Sequence, residues 1–593
     1  MDTRTILSQT PLFSRLAPEA LDALAERTEL LGVASGQALF EQGEAADSMY
    51  IVCTGRLRAI QADGTVLGDI GHHEPIGEIG LLSGENRSVS VYAIRDSILL
   101  RIPRDELFSL IECHPGAMIE ITRVIIHRLR QNQRTQSLAS SRSLRSYAVI
   151  PAGVDADAAE VAAGLRDALA ASHSVRLVDP VLVNAELGRG AADARWRDGD
   201  EDARLVEFLD RVEAEQRYLI YLANRDSESW TQRCVRQADR ILIVVGHQAQ
   251  PMITAMIEQV RSSGARAPID VVMLRPGGAA AEQVMAWRRL VGARAHYFVR
   301  PGNAADYASM ARQLSGRGIG LVLGGGGARG FAHIGLVRAL RELEIPVDLV
   351  GGTSMGAFVA ALVACGYSDT EMMHIARETF VRNNYLNDYL FPSVALIRGR
   401  KFMRRLHELF EELRIEELRT PYFCVSTNLT RGKCMVHDEG PLHMWVGTSM
   451  CVPGVAPPVA WNGDLLADGA VINSLPTDVM QAWGRGPIIA SDVSTEGGIG
   501  APGVIGPDPE ALFHYKGENE RPGLFAIIFR TATLTSESGV AARAARADAY
   551  LRMPVSGVAL FDWKKIDAVV EGGYRHAMEK LTQSRDLLVR YGT

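Results

Sequence analysis

The segment 345–366 imposes the strongest constraint on how this chain can fold. An apolar run is followed by Gly-Thr-Ser-Met-Gly at 352–356, and then by a second apolar run that ends at Gly366. Only glycines two positions before and after the serine, here Gly352 and Gly356, let a strand and a helix approach closely through so sharp a turn. The pattern predicts strand, turn and helix, with Ser354 as a candidate nucleophile beside a helix N-terminus. The alternative interpretation is a turn that only caps a helix.

A glycine-rich loop follows an earlier apolar run, at 324–330. Consecutive glycines leave backbone N–H groups unshielded, so these groups can converge on the oxyanion of a tetrahedral transition state. We expect the amides around Gly325, Gly326 and Gly327 to form this oxyanion hole, with Arg329 steadying the loop or the developing charge. The competing interpretation is a dinucleotide fingerprint, G-x-G-x-x-G. That interpretation is disfavoured because the next strand does not end in the acidic residue that such a site requires.

Asp468 is the third candidate residue, since it stands between an apolar run and Gly469. An aspartate in this position is usually a turn residue. In the company of a candidate nucleophile, it is a candidate general base. A triad that includes histidine stays open on the residues alone, although His333, His514 and His576 lie in no recognisable catalytic loop motif, and a structural role is the commoner one for such residues.

The glycine loop, the serine turn and Asp468-Gly469-Ala470, in this order, resemble the oxyanion loop, the nucleophile elbow and the catalytic aspartate of the patatin-like phospholipase family. The resemblance covers residues 318–593. It implies a C-terminal α/β hydrolase domain, placed at 311–593, that uses a Ser354–Asp468 dyad without histidine and without a metal or cofactor for catalysis. The implied activity is that of a serine esterase, a phospholipase or lysophospholipase, acting on acyl ester bonds of phospholipid or lysophospholipid.

Three further segments precede this domain. Short alternating segments punctuated by glycine predict a β-roll with C-terminal helices at 1–135. A polar linker is expected at 136–146. Strands alternate with helices at 147–310, which predicts a parallel α/β domain; because no lysine-bearing glycine loop follows its first strand, we interpret it as a spacer or coupling domain. The segment 230–239 resembles the matching region of neuropathy target esterase-like proteins, which extends the resemblance to nearly the whole chain.

Within the β-roll, the segment 76–91 resembles the phosphate-binding cassette of cyclic nucleotide-binding domains. The resemblance implies that Arg87 holds a cyclic phosphate, that Glu78 accepts from the ribose 2′-hydroxyl and that Ser88 adds a hydroxyl contact, with cAMP or cGMP as an effector. Asn86 departs from the proline of many nucleotide-binding members. Two alternatives follow: a domain that keeps the fold but has lost the ligand, and a nucleotide-responsive binding protein whose hydrolase is weak or vestigial.

Composition limits the partners and the location. Of the 593 residues, 47% are hydrophobic and 22% are charged, which is typical of a globular protein. The net charge of −7 argues against a nucleic-acid surface. Seven cysteines without C-x-x-C pairs indicate a reducing compartment. Without a signal-peptide pattern or a charge-free apolar run near 20 residues, the protein is predicted to be cytoplasmic, with membrane contact limited to the periphery.

Two features of the C-terminal domain suggest contact with lipid. Apolar residues gather around a proline-rich segment before Asp468 and are candidates to line an acyl channel, although core packing is the commoner explanation: Trp445, Met450, Val452, Val455, Val459 and Trp461. A basic run is a candidate for contact with anionic headgroups, although a solvated helix face is commoner: Arg398, Arg400, Lys401, Arg404 and Arg405.

Overall fold

Two compact units divide the chain in the computed structural model of the protein. The first unit ends at Ala311 and the second begins at Arg312. The structure describes residues 3–14, 16–64, 66–114, 118, 122, 144–194, 199–275, 281–383, 385–389, 391, 394–494, 500–501, 504–508, 510–515 and 524–583. The helices predicted beyond residue 114, and residues 136–143 of the predicted linker, fall almost entirely outside the described residues.

The first unit begins with a β-roll of two four-stranded antiparallel sheets, in the orders β1-β8-β3-β6 and β2-β7-β4-β5. Side chains of both sheets share one apolar core, in which Val52 and Leu99 from one sheet meet Leu57 and Val91 from the other. The strands are β1 Glu29–Val33, β2 Ala38–Phe40, β3 Ser48–Thr54, β4 Leu57–Ile60, β5 Val66–Ile70, β6 Pro75–Ile76, β7 Ser90–Ala93 and β8 Ser97–Pro103. The helices are α1 Thr3–Gln9, α2 Pro18–Ala25, α3 Glu78–Ser83 and α4 Arg104–Cys113.

A six-stranded parallel sheet follows, in the order β10-β11-β9-β12-β13-β14. Its inner strands are buried on both faces, as near-continuous apolar runs in parallel sheets usually are. The strands are β9 Ser146–Pro151, β10 Val175–Val178, β11 Tyr218–Leu222, β12 Arg240–Val245, β13 Ile269–Leu274 and β14 Ala295–Val299. The helices are α5 Ala158–Ala170, α6 Pro180–Leu187, α7 Gly199–Glu215, α8 Glu228–Gln237, α9 Ala255–Ser262, α10 Ala281–Val291 and α11 Ala304–Leu314.

Within the first unit, a buried cluster of charges joins the β-roll to the parallel sheet. Arg56 donates to the carboxylate of Asp239 at 2.8 Å, and Arg95 lies 3.3 Å from the same carboxylate while it also pairs with Glu213. Burial acts to raise the pKa of Asp239, but the two guanidinium groups and its hydrogen bonds outweigh burial and hold that pKa at about 2. Because a buried ion that loses its partner is costly, this cluster resists separation of the two layers.

The second unit is built on an eight-stranded mixed sheet in the order β19-β20-β17-β16-β15-β21-β22, with β18 paired to β17. Strands β15, β16, β17, β21 and β22 run parallel. The chain moves outward from β15 on one side through β16 and on the other through β21, so the loops after these strands meet at a crevice of the kind where open α/β sheets bind ligands. The strands are β15 Gly320–Leu323, β16 Leu349–Thr353, β17 Tyr422–Asn428, β18 Lys433–His437, β19 Val459–Trp461, β20 Asp464–Asp468, β21 Ile488–Asp492 and β22 Ala549–Arg552.

Helices cover this sheet and complete its core. The helices Ala332–Glu342 and Ile566–Gln583 approach each other so closely that only glycine fits at two positions of their contact. A Cβ at Gly335 would lie 2.1 Å from the carbonyl oxygen of Val570, and a Cβ at Gly573 would lie 2.5 Å from the carbonyl oxygen of Ala332. The helices are α12 Ala332–Glu342, α13 Met355–Ala364, α14 Asp369–Ala376, α15 Arg400–Phe410, α16 Leu442–Ser449, α17 Thr477–Trp483, α18 Ala511–His514, α19 Leu524–Ser538, α20 Val540–Ala544 and α21 Ile566–Gln583. The three parts confirm the predicted multidomain architecture.

Candidate active site

Ser354 lies in the turn between β16 and α13. Its backbone has a φ of 54° and a ψ of −123°, a strained conformation for a residue with a side chain. Two glycines make the turn sterically feasible: a Cβ at Gly352 would lie 2.6 Å from the backbone of Gly356, and one at Gly356 would lie 2.1 Å from the carbonyl oxygen of Leu323. The local sequence thus places the serine hydroxyl at the carboxyl end of the sheet, beside the N-terminus of α13.

Asp468, the last residue of β20, contacts this hydroxyl directly. The Oγ atom of Ser354 donates to Oδ2 of Asp468 at 2.6 Å, and the amide of Ala470 donates to Oδ1 at 2.8 Å. Burial raises the pKa of Asp468 to about 7, although both hydrogen bonds act in the opposite direction. A carboxylate with a pKa near neutrality can accept a proton from an attacking hydroxyl and return it later, which is the requirement for a general base.

A second serine holds the backbone of Ser354. The amide of Ser354 donates to Oγ of Ser449 at 2.9 Å, and Ser449 in turn donates to the carbonyl oxygen of Val425 at 2.7 Å. Thr353 donates its hydroxyl to the carbonyl oxygen of Asn473 at 2.8 Å. The role of Ser449 was not predicted from the sequence, since no local pattern links two residues so far apart.

The glycine loop approaches Ser354, but its first predicted donor is already occupied. The amide of Gly325 donates to the carbonyl oxygen of Ser474 at 2.9 Å, so the prediction that Gly325 contributes to an oxyanion hole does not hold in this structure. A Cβ at Gly325 would lie 3.3 Å from that of Ala470, which is a tight contact, so glycine there lets the loop pack against the residues after Asp468. The amides of Gly326 and Gly327 donate no hydrogen bond within the part of the chain that the structure describes.

Arg329 braces this loop from outside. Its Nε atom donates to the carbonyl oxygen of Val558 at 2.7 Å, and the neighbouring amide of Ala328 donates to the carbonyl oxygen of Leu560 at 2.8 Å. Burial lowers the pKa of Arg329. Of the two roles that the sequence left open for Arg329, these contacts favour the steadying of the loop.

Histidine does not take part in the Ser354–Asp468 contact among the described residues. His333 is fully buried, where its ring nitrogens lie 2.8 Å from the carbonyl oxygen of Gly324 and 2.9 Å from Oγ of Ser491. Burial lowers its pKa to about 4, so the imidazole is neutral. His333 therefore ties α12 to the strand end before the glycine loop, which is a structural role.

The residues predicted to hold a cyclic nucleotide lie around α3. Arg87 is buried, donates to the carbonyl oxygens of Ser48 at 2.7 Å and Gly77 at 3.2 Å, and lies 4.1 Å from the ring centroid of Phe40. Glu78 is buried at the start of α3, whereas Ser88 is exposed. The Nε atom of Arg87 is buried without a hydrogen-bond partner in the described residues. In this structure the guanidinium faces the interior of the β-roll.

In the central domain, backbone carbonyl groups of the loop after β9 accept hydrogen bonds from Arg225 of the same domain. Arg225 donates to carbonyl oxygens of Gly153, Val154 and Ala156. Thr254 donates to the carbonyl oxygen of Ala152 at 2.6 Å. A phosphate loop must present N–H donors to its ligand, and this loop presents carbonyl groups to a guanidinium instead.

Two general features of the described residues also bear on function. No helix among them combines the length and the apolar composition needed to cross a bilayer. No group of three or more His, Cys, Asp or Glu residues in the same ranges is arranged to hold a metal ion.

The β-roll, the parallel central sheet and the Ser–Asp pair at the strand ends of the third sheet define a class of multidomain hydrolase. Family profiles match the same three regions: "Cyclic nucleotide-binding domain" at residues 31–114, "Neuropathy Target Esterase family P-loop like domain" at 143–287 and "Patatin-like phospholipase" at 321–480. The chain belongs to the neuropathy target esterase-like family of patatin-like phospholipases that carry an N-terminal cyclic nucleotide-binding domain.

Similar proteins from bacteria and from animals match most of the chain. An uncharacterised NTE family protein of Mycobacterium tuberculosis (strain ATCC 25618 / H37Rv) is 29% identical over 99% of this chain and 98% of its own length. Patatin-like phospholipase domain-containing protein 6 of Homo sapiens is 31% identical over 78% of this chain, which corresponds to 37% of the human protein. A solved cyclic nucleotide-binding-like protein from Brucella abortus is 29% identical, covering 19% of this chain and 99% of that chain, with a TM-score of 0.18.

Proposed function

We propose that the protein is a serine esterase that releases fatty acid from phospholipid or lysophospholipid through the Ser354–Asp468 dyad. The observation that carries the proposal is the 2.6 Å hydrogen bond from the Ser354 hydroxyl to a buried carboxylate whose pKa burial raises to about 7. A hydroxyl is a weak nucleophile until an adjacent base takes its proton. The pair supplies both groups without a third partner.

The proposed reaction proceeds in two halves. Asp468 takes the hydroxyl proton while Ser354 attacks the acyl carbonyl, and the amides of Gly326 and Gly327 donate hydrogen bonds to the oxyanion. The leaving alcohol takes the proton from Asp468, which leaves an acyl-serine. Water then gives a proton to Asp468, attacks the acyl group and releases the fatty acid, and the proton returns to Ser354.

The test is a panel of three substrates that carry the same kind of fatty-acyl group: a lysophospholipid, a two-chain phospholipid and a simple aryl ester. We expect the wild-type protein to release free fatty acid from at least one lipid, with Ser354→Ala protein as the blank. Release that is equal in both proteins would refute the proposal, because it would come from a contaminant or from a different site. The ranking of the lipids would establish phospholipase or lysophospholipase activity.

A second candidate function is nucleotide sensing, which the cyclic nucleotide-binding match at 31–114 favours. We propose that the β-roll binds cAMP or cGMP with its phosphate at Arg87. Since Arg87 already donates to two carbonyl groups, the ligand must compete with those bonds, and we expect weak binding. Nucleotide binding would then change the hydrolase activity only if a more active and a less active state of the protein differ in their affinity for the nucleotide.

Titration calorimetry of the full chain with cAMP and with cGMP tests the sensor. We expect saturable heat with one of them, lost in Arg87→Ala because a phosphate loses its charged partner. Arg58→Ala is the matched control: this arginine is on the same β-roll, but it pairs with Asp69 at 2.6 Å and shares no hydrogen-bond partner with Arg87. The absence of heat with either nucleotide would leave the domain as a scaffold.

A further inference from the structure

A short loop of the C-terminal domain leads into α15 and exposes large apolar side chains. Its two ends pair through an antiparallel bridge between Tyr389 and Ile397. Among the described residues of the loop, Phe391 is 90% exposed, Val394 is 70% exposed and Tyr389 is 64% exposed. These three side chains form a loop tip of the kind that marks an interaction surface, since apolar area in contact with water is unfavourable.

The segment that carries the loop tip is strongly basic, although the whole chain is acidic. Residues 385–405 contain five basic residues and one acidic residue, Asp388, whereas the complete chain has a net charge of −7. Arg398, Arg400 and Arg404 are exposed and make no ion pair with a described residue. Two of these arginines, Arg400 and Arg404, lie four positions apart on one face of α15. The loop tip is therefore followed directly by charges that no described acid balances.

The single acidic residue of this segment acts as a helix cap. The carboxylate of Asp388 accepts from the amides of Gly399 and Lys401, each at 3.2 Å, and it makes no ion pair with a described residue. The ammonium group of Lys401 donates to the side-chain oxygen of Asn387 at 2.9 Å, and this partner is neutral. Lys401 therefore keeps an unbalanced positive charge, and together with the three arginines it makes up a basic group of four residues.

The base of the loop is bonded to the segment that positions the dyad. The amide of Leu396 donates to the carbonyl oxygen of Gly454 at 3.0 Å. Three residues before Gly454, the carbonyl oxygen of Cys451 accepts from the amide of Asp468 at 2.9 Å. A surface that binds the loop tip is therefore held by the same stretch of backbone that places the proposed general base.

A second exposed apolar segment shows why charge decides between candidate surfaces. Phe513 is 73% exposed, but residues 504–513 contain no lysine or arginine, and Asp508 and Glu510 are exposed beside it. An anionic surface repels these carboxylates, whereas it attracts the basic group that follows the loop tip. Of the two segments, only the one that carries the loop tip combines exposed apolar side chains with the charge that an anionic partner requires.

We propose that the loop tip and the basic group bind an anionic lipid bilayer, an inference that rests on the proposed function, since a lipid esterase meets its substrate at membranes. The apolar side chains of the loop tip enter the boundary between headgroups and acyl chains, and the basic group contacts lipid phosphates. Arginine suits this contact because its guanidinium donates to phosphate in a planar fork. The surface responds to the charge of the membrane and not to the headgroup of the lipid that is hydrolysed.

Vesicle sedimentation with full-chain Ser354→Ala protein, which lacks the proposed nucleophile, tests this surface. Vesicles of phosphatidylcholine alone are compared with vesicles of phosphatidylcholine and phosphatidylglycerol in equal parts, and we expect tighter binding to the mixed vesicles. On the same background, Arg400→Gln/Arg404→Gln should weaken binding to mixed vesicles about 30-fold, because each arginine near an anionic surface contributes to attraction. Phe391→Ala should weaken it about tenfold, because the buried apolar area is smaller.

Two substitutions on the same background serve as controls, and circular dichroism verifies the fold of every variant. Arg575→Gln removes an exposed arginine of the same domain that already pairs with Glu571 at 2.8 Å. Phe513→Ala removes the exposed phenylalanine beside the acidic residues. Both should bind mixed vesicles as tightly as the parent protein. Equal binding to the two kinds of vesicle, unchanged binding in the arginine double variant, or an equal loss in Phe513→Ala and Phe391→Ala would each overturn the proposal.

Hydrolysis in the same vesicles separates this inference from the esterase proposal. A lysophospholipid is included in both kinds of vesicle, and fatty-acid release is measured with protein that retains Ser354. No release, together with the expected pattern of vesicle binding, would refute the esterase alone. Release that depends on Ser354, together with vesicle binding that none of the substitutions changes, would overturn the membrane surface alone.

Discussion

Asp468→Asn is expected to abolish ester hydrolysis, with a loss on the order of 10⁴-fold or more, and Ser354→Ala is expected to do the same, as for residues that act as one catalytic unit. The physical reason is that the oxygen of an asparagine can accept from the amide of Ala470 and its nitrogen can only donate to the Ser354 hydroxyl, where the carboxylate accepts from both groups. The asparagine therefore fills the same space but cannot take the hydroxyl proton. Fatty-acid release, measured beside circular dichroism and thermal unfolding, checks both activity and fold.

Asp348→Asn is the matched control for this substitution. Asp348 is also buried in the second unit, but it pairs with Arg312 at 2.7 Å and touches no residue of the dyad. We expect Asp348→Asn to lose stability, because it breaks a buried ion pair, and to keep its activity while folded. Asp468→Asn should therefore lose activity but keep its fold, whereas Asp348→Asn should lose stability but keep its activity. Substantial turnover in purified Asp468→Asn protein would refute the dyad.

The strand, turn and helix around Ser354 could be predicted because every determinant is local. The two glycines, the serine and the flanking apolar runs lie within one short segment, and both glycines are required by the close approach of neighbouring backbone. The partnership of Ser354 with Asp468 is different in kind. These residues lie 114 positions apart, so only the resemblance to a family predicted their contact, and the distance and burial came from the structure.

In the glycine loop, contacts with residues distant in sequence could not be predicted. The four consecutive glycines at 324–327 predict unshielded amides, but they do not reveal that the carbonyl oxygen of Ser474, far along the chain, accepts from the amide of Gly325. Arg87 is a second example, in the β-roll. Its position in the segment 76–91 follows from the sequence, but the inward direction of its guanidinium depends on the carbonyl groups of Ser48 and Gly77.

Activity on an uncharged aryl ester is expected to rise about tenfold per pH unit up to pH 7 and to level off above pH 8, because only ionised Asp468 can act as the base. Its pKa is raised to about 7 by burial. Cys451 does not complicate this interpretation, since burial raises the pKa of its thiol to about 12. The measurement is kcat/KM from pH 5 to pH 9, and circular dichroism at each pH verifies that the protein is folded.

The Ser449→Ala variant provides the control for this profile. Ser449 bonds to the amide of Ser354 and makes no hydrogen bond to Asp468, so its loss should lower the rate without moving the midpoint. A wild-type profile that is flat between pH 5 and pH 8 would contradict the assignment of Asp468 as the base.

Stability should change with pH in the opposite direction to activity. Because the pKa of Asp468 is raised from 3.8 to about 7 on folding, the native state binds more protons than the unfolded state between these values, and stability falls as pH rises through this window. The full cost above pH 7 is up to about 4 kcal/mol. The advantage of Asp468→Asn over wild type, measured by urea unfolding, should therefore grow by roughly 2 to 3 kcal/mol between pH 5 and pH 8. An advantage that does not change with pH would mean that Asp468 is ionised at little cost, and the same buried carboxylate would then be too weak a base for the proposed reaction.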